Sequence, residues 1–512
     1  MKVLTVEKMK TLEALSDKMG VSYESLMNNA GRAVYKFILD NFDVKGKSVA
    51  VLVGSGNNGG DGINIASKLK GAGVSVCVVL TNSIPRTALS AYQFEYYRNI
   101  GGEAIDFDFH SVLALRKIER ADILVDAVFG TGFSGEMPIN VKTALDAYNK
   151  STAVKISVDI PSGVNADSCE VSEYSAKSDY TLTFEALKIA HTEPELQSYT
   201  GQTVVVNIGV PLEAHEQIQE ETTVLDDEFI KHIFKKRPRG AHKGVFGRIL
   251  VLGGCRYFRG APVLSVLASL RSGVGIASLG STEKVVELGA HLAPEATFLP
   301  LSENQDGYIS IDNKERILEE AKKCSAVVFG MGMGNTPDTK EILSFLLKNY
   351  SGNILIDADG INALSENIDI LRETSATVVL TPHIAEMARL IGRDTDYVKG
   401  NMVSAARDAA RKLGAVVVLK SAKTVIAMPS GDIFCNIRGC AGMAKGGSGD
   451  MLSGIIGSFL SQGYKPFDAA ALGVYVHALS GEEAEKDRSN TAMLPRDMID
   501  ALGNVFLKFE RQ

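Results

Sequence analysis

The stretch VAVLVGSGNNGGDGINIA, residues Val49–Ala66, decides the reading of the fold. A β-branched run, Ser48–Val53, stops at Gly54. Gly56, Asn57, Asn58, Gly59, Gly60, Asp61 and Gly62 follow before a helical pattern sets in. Glycines at a strand-to-helix turn let backbone amides close on an anion, and the helix dipole favours negative charge there. Gly54, Gly56 and Gly59 satisfy the spacing G-x-G-x-x-G, which alone is weak evidence for a dinucleotide site. The polar insert sharpens it. Two adjacent carboxamides and a carboxylate exceed what a plain cofactor loop needs; they can hydrogen-bond a polar ligand or offer oxygen to a hard cation.

Outward from this stretch, the first half alternates strand-like and helix-like segments. Ser48–Val53, Val74–Leu80, Ile123–Ala127, Val154–Asp159, Tyr180–Phe184 and Thr203–Val206 read as strands, with Asp61–Gly71 and Lys142–Asn149 as helices between them. That order predicts an α/β fold with a parallel, doubly wound sheet, which binds ligands at the carboxyl ends of its strands. An acidic, polar stretch, Glu213–Glu228, marks the expected domain boundary. Two domains are expected, residues 1–215 and 225–512. The second βα series starts at Gly247–Gly254 (GRILVLGG). It runs through Ala326–Gly334, Asn353–Gly360, Thr377–His383 and Gly414–Ala427 to the glycine-rich GMAKGGSGD and an apolar helix, Met451–Leu460.

Composition narrows the function. The 512 residues are 45% hydrophobic and 22% charged, ordinary for a globular protein, and too many for one core. A net charge of −7 gives no basic field for nucleic acid or an anionic membrane. The densest basic group, Lys235, Lys236, Arg237, Arg239 and Lys243, reads as a solvated face at a domain start. The chain start has no apolar signal core or cleavage site, and no run of about 18 apolar residues occurs anywhere. Six scattered cysteines without C-x-x-C fit buried thiols in a reducing cytoplasm. A cytoplasmic protein is expected, with small-molecule partners and a homo-oligomeric state.

Three strand ends in the first half carry chemistry: the Gly54–Gly62 loop, VDAVFGTGFSGE after Asp126, and VDIPSGV with Asp159 and Ser162. Side by side, they let Asn58, Asp126 and Ser162 supply oxygens to one monovalent or divalent cation. Asp159 is left for ribose recognition or proton transfer. An ordinary dehydrogenase is disfavoured, because the second strand ends Val78-Val79-Leu80-Thr81-Asn82 without the ribose-binding acid. These three loops, with the upstream LMNNAGRAV (Leu26–Val34), resemble the NAD(P)H-hydrate epimerase domain over about residues 1–215. The resemblance implies a Rossmann-like fold, a hydrated nicotinamide substrate and bound potassium. It places potassium on Asn58, Asp126 and Ser162. It places the hydrate on Asn57, Asn58, Gly59, Gly60, Asp61, Gly130, Thr131, Gly132, Phe133, Ser134, Gly135, Glu136 and Asp159. Our own reading makes Asp159 the proton carrier at the hydroxyl-bearing carbon.

In the second half, Gly446, Gly447, Ser448 and Gly449 precede Asp450 at a helix start. Amides there make an anion hole for a phosphoryl group in flight, and Asp450 stands ready to take a hydroxyl proton. No Walker-type loop is present. The arrangement resembles the ribokinase-like superfamily. HKGVFGRILVLGG, RGAPVLSVLASLRSGVG, GMGMGN, LIDADGINAL, LTPHIAEMARL and LKSAKTVIA narrow it to NAD(P)H-hydrate dehydratase over about residues 225–512. By that resemblance Ala261, Gly332, His383 and Asp450 contact the hydrate. Lys420, Ser421, Ala422, Lys423, Thr424 and Gly449 hold ADP or ATP with Mg²⁺, and Asp450 is the base. Two departures stand out: Ile384-Ala385 where the family commonly has Pro-Gly, and Lys445 before the glycines.

The chain therefore reads as a bifunctional repair enzyme acting on NADHX and NADPHX, the hydrates of NADH and NADPH. One domain epimerises the R and S hydrates; the other dehydrates the S hydrate through a phosphorylated intermediate. The alternatives are a vitamin or sugar kinase with a regulatory N-terminal domain, and a nucleotide-sensing scaffold. The fused architecture and a start without a transit peptide point to a prokaryotic, ADP-using form, with ATP left open.

Overall fold

Ser48–Val53 (β1) is apolar on both faces, and its alternate residues feed two separate cores. Val49, Val51 and Val53 pack with Leu26, Val34, Ile63 and Leu69; Ala50 and Leu52 pack with Ile118, Val141, Leu145 and Tyr148. That is the pattern of a parallel sheet covered by helices on both sides. The computed structural model describes residues 1–219 and 222–511. Glu220 and Glu221, inside the stretch read as a boundary, and Gln512, the last residue of the expected second domain, lie outside the described residues. The chain divides into two compact units, Met1–Thr222 and Thr223–Gln512.

In the first unit β1 is joined by Ser75–Leu80 (β2), Glu103–Asp106 (β3), Ile123–Ala127 (β4), Val154–Val158 (β5), Tyr180–Phe184 (β6) and Gln202–Val206 (β7). Their spatial order is β3-β2-β1-β4-β5-β6-β7, with every pairing parallel. The order reverses between β1 and β4, so a crevice opens beyond their carboxyl ends.

The second unit repeats the principle with Arg248–Leu252 (β8), Ile276–Thr282 (β9), Thr297–Leu301 (β10), Ala326–Phe329 (β11), Asn353–Ile356 (β12), Thr377–Leu380 (β13), Val416–Leu419 (β14), Thr424–Ala427 (β15) and Ile433–Asn436 (β16). The order β16-β15-β14-β13-β12-β11-β8-β9-β10 reverses between β8 and β11. The helix Ser448–Ser461 buries Leu452, Ile455, Ile456 and Phe459 in one core with Ile249 and Val251 of β8.

Three sequence expectations need correction. Gly414–Ala427 is not one more βα element: β14 and β15 form an antiparallel hairpin, Val417 opposite Ala427 and Leu419 opposite Val425. Four residues between them are too few for a parallel crossover. The helix expected at Asp61–Gly71 begins at Asn57, and the last glycine-led helix at Ser448, not Met451. Asn and Gly are poor helix formers, so the first turn hides in the sequence; tertiary packing imposes it. β3, β9, β10 and β16 were not legible: β3 is a short edge strand with acidic ends, and the others lack a clean apolar run.

Candidate functional site

The helix Asn57–Gly71 starts at Gly56 without a side-chain cap, so its first amides face the crevice unpaired by any capping side chain. The turn is tight. A Cβ on Gly59 would collide with the carbonyl of Gly54, and one on Gly54 with that of Val128. Gly59 and Gly60 are buried, whereas Asn57 is exposed and Asn58 and Asp61 half-buried.

Asp126, at the end of β4, is fully buried. Its carboxylate accepts from Ser162 Oγ (2.5 Å), Ser162 N (2.8 Å), Ser157 Oγ (2.9 Å) and Val128 N (3.3 Å). Burial pushes its pKa up and the hydrogen bonds pull it down; no cationic side chain takes part. Ser162 Oγ also accepts from Phe129 N at 2.8 Å, and Asn58 lies against Gly130 with a buried, unpartnered Nδ2. Amide orientation is assignable either way, so this carboxamide can present oxygen or nitrogen. Asn58, Asp126 and Ser162 thus belong to one junction of three loops, rich in oxygen and with an uncompensated carboxylate. That donor chemistry fits a weakly charged hard cation. Among the described residues no group of three or more His, Cys, Asp or Glu could hold a metal ion, so a site here is of mixed carboxylate, hydroxyl and amide character.

The loop Gly130–Glu136 is held at its base, where Phe129 stacks on Phe133 with centroids 4.9 Å apart and Phe133 O accepts from Asn165 Nδ2 at 3.3 Å. Thr131 is half-buried, and Gly132, Ser134, Gly135 and Glu136 are exposed. Asp159 follows β5 with φ +66°, and Ile160 N bonds back to Val158 O at 2.9 Å. This is the strained form of a γ-turn. It sets the carboxylate against Lys188, 2.5 Å away. Burial opposes ionisation of Asp159, and the Lys188 ammonium overrides it, holding the pKa below the usual range.

In the second unit, Asp450 occupies the first turn of Ser448–Ser461, whose cap, Gly447, has φ +97° and offers no side-chain bond. Burial, then Asp357, pushes Asp450 up to about 6, with Lys420 opposing. Lys420, at the end of β14, pairs with buried Asp357 at 2.6 Å, and Ser453 Oγ donates to the same carboxylate at 2.6 Å. A Cβ on Gly449 would stand 3.4 Å from Lys420 Nζ. Lys420, Gly449 and Asp450 therefore meet. Ala261 and Gly332 adjoin at the mouths of β8 and β11. His383 caps the helix Ile384–Ile391: its Nδ1 accepts from Ala385 N (3.0 Å) and Glu386 N (3.3 Å). Ile384-Ala385 are simply the first helical turn. Of the hairpin residues, Ser421 and Ala422 are exposed, while Lys423 and Thr424 are buried. Lys445 Nζ donates to Thr491 O at 2.5 Å, which ties it away from the glycine turn.

Sequence reasoning missed Glu13, Lys188 and His191 in the first unit, and Asp357, Ser453 and His477 in the second. His477 is buried and neutral, driven down to about 4 by burial, and meets Ser448 Oγ through Nε2 at 3.2 Å. A signal existed for one of them: Asp357 ends an apolar strand.

Family matches fall in both units. The family described as NAD(P)H-hydrate dehydratase matches residues 249–504, and that described as YjeF-related protein N-terminus matches residues 23–190. The bifunctional NAD(P)H-hydrate repair enzyme Nnr of Moorella thermoacetica is 32% identical, covering 100% of this chain and 98% of its own. That of Thermofilum pendens is 34% identical over 98% and 95%. Among solved structures, the ADP/ATP-dependent NAD(P)H-hydrate dehydratase of Bacillus subtilis, co-crystallised with ATP/Mg²⁺, is 28% identical with a TM-score of 0.50. It covers 57% of this chain and 99% of that one.

Proposed function

The chain belongs to the family of bifunctional NAD(P)H-hydrate repair enzymes, and on that premise we propose which residues carry each activity. The protein interconverts the R and S hydrates of NADH and NADPH and dehydrates the S hydrate to NAD(P)H with ADP or ATP. We assign epimerisation to residues 1–215 and dehydration to residues 225–512.

For dehydration, the observation that carries the assignment is Asp450 beside an uncapped helix start and Lys420. The amides of Ser448–Asp450 and the Lys420 ammonium receive the phosphoryl group. Asp450 takes the proton of the hydrate hydroxyl as that oxygen attacks phosphorus. Hydroxide is a poor leaving group and phosphate a good one. Its departure, with loss of a proton from the neighbouring ring carbon, restores the dihydropyridine. Magnesium, when bound with the nucleotide, would supply charge to the phosphates. Ala261, Gly332 and His383 line the hydrate side; Lys420–Thr424 and Gly449 take the nucleotide, with the exposed Ser421 and Ala422 the accessible part of that turn.

For epimerisation, Asp159 moves the proton at the hydroxyl-bearing carbon, and Asn57–Asp61 and Gly130–Glu136 hold the hydrate. Asn58, Asp126 and Ser162 would hold potassium, which when bound supplies the charge that the buried Asp126 lacks. A cytoplasmic, homo-oligomeric protein completes the proposal; six scattered cysteines without C-x-x-C support a reducing compartment. Light scattering and cell fractionation test those two points. The activity is tested by incubating hydrated NADH with ADP or ATP and Mg²⁺. Recovery of NADH absorbance is expected, and a stable phosphate ester in its place overturns the assignment in favour of a kinase.

A further inference from the structure

We propose that Lys188 is the positioning residue of the epimerase site: it fixes Asp159 as the base and so leaves Asp61, near the start of the helix that follows β1, as the proton donor. The inference rests on the assignment of epimerisation to this site. An ammonium has three donors. Those of Lys188 reach Asp159 Oδ1 (2.5 Å), Thr183 Oγ1 (2.9 Å) and Phe184 O (3.2 Å), and the side chain is only 1% exposed. Nothing is left for a substrate, so Lys188 acts through Asp159. Asp159 Oδ1 is further occupied by Thr183 Oγ1 (3.0 Å) and Phe184 N (3.4 Å). Its Oδ2 takes none of these bonds. The strained γ-turn at Asp159 holds that orientation.

Besides Lys188, the titratable groups whose charges couple to Asp159 are Asp61, Glu13 and His191, with Lys10 and Tyr23 coupled to Glu13 and Asp17 to Tyr23. Asp61 is raised well above the usual carboxyl range by burial first, then by Asp159 and Glu13. Glu13 is raised by burial and Asp159, against Lys188 and Lys10. His191 Nδ1 accepts from Lys188 N at 3.0 Å, which puts the ring proton on Nε2. Burial, then Lys188, pushes the ring down to about 3, so it stays neutral and does not compete as a base. Two carboxyl groups whose surroundings drive them apart make an acid and a base at one pH.

The step balances without a redox partner. Asp61 gives its proton to the hydrate hydroxyl, the C–O bond breaks, water leaves, and the ring nitrogen lone pair forms a C=N iminium. Water then adds to either face, its oxygen bonding carbon while its proton passes to Asp159 Oδ2. Proton exchange through solvent returns both carboxyl groups to their starting states.

The test uses the full chain without nucleotide, so that dehydration is silent, and follows separation of the two epimers of hydrated NADH by chromatography from about pH 5 to about pH 9. Lys188→Met is expected to lower kcat with KM little changed. It should also bring an acid limb into this window, where the parent has none from Asp159, because Asp159 loses its counter-charge and burial then raises its pKa. Asp61→Asn, nearly isosteric, is expected to cost ~10²–10⁴-fold and to abolish the alkaline limb. A uniform drop in Lys188→Met with no acid limb entering the window makes Lys188 merely structural and overturns the proposal. So does an Asp61→Asn variant that keeps the parent's alkaline limb, which decides the matter even if Lys188→Met fails to fold. A parent protein no faster than spontaneous epimerisation would instead overturn the assignment of the activity itself.

Discussion

Asp450 is pulled two ways, by burial and by Lys420. With an unfolded-state value of 3.8 and a folded value of about 6, the folded protein binds the extra proton between these limits. Stability is therefore gained as pH falls through about 6, and the ionised carboxylate destabilises the fold above it. Asp450→Asn removes that charge. We expect it to abolish dehydration by ~10²–10⁴-fold while raising neutral-pH stability by roughly 1–3 kcal/mol, an advantage that fades towards pH 4. Initial rates and thermal melts at several pH values check both halves; near-parental dehydration removes Asp450 from the mechanism. In the parent, kcat/KM for dehydration should fall as pH drops through about 6. Asp126→Ala, in turn, should weaken the potassium dependence of epimerisation, and overlaid potassium titrations of variant and parent would make Asp126 purely structural. Asp159 and Asp450 were legible because each closes an apolar strand or opens a helix beside several glycines. Glu13 and Lys188 were not. Each looks like a solvated charge in its own segment, and only the topology brings them to Asp159.

At the scale of elements, strands announce themselves by composition and their neighbours do not. β1 and β8 are unbroken apolar runs because both faces are covered. The strands of the β14–β15 hairpin are as apolar as parallel ones and so fit a βα series on sequence; the pairing direction is set by the four-residue turn. That turn is what carries Lys420 to Asp357 and Asp450. The helix Asn57–Gly71 depends on close approach of its first turn to β1. Gly59→Ala puts a methyl into the Gly54 carbonyl, a backbone contact that cannot swing aside. It should cost about 1–3 kcal/mol, lower the melting temperature of the first unit and leave dehydration kinetics intact. A parental melt would mean the turn is looser than described.

At the scale of the whole molecule, the change of texture at Glu213–Glu228 suggested two domains, and the chain divides at Thr222–Thr223 into units with their own cores. Units of this size commonly fold alone. The central claim is a division of labour, and one measurement addresses it most directly. Separate fragments, residues 1–222 and 223–512, are prepared, and the second is given a mixture of R and S hydrates with Mg²⁺ and nucleotide while NADH absorbance is recorded. The account predicts a fast phase that consumes the S epimer, then a slow phase at the spontaneous epimerisation rate. Adding the first fragment should release the slow phase without any new nucleotide requirement. Consumption of both epimers at one speed by the second fragment alone would contradict the account.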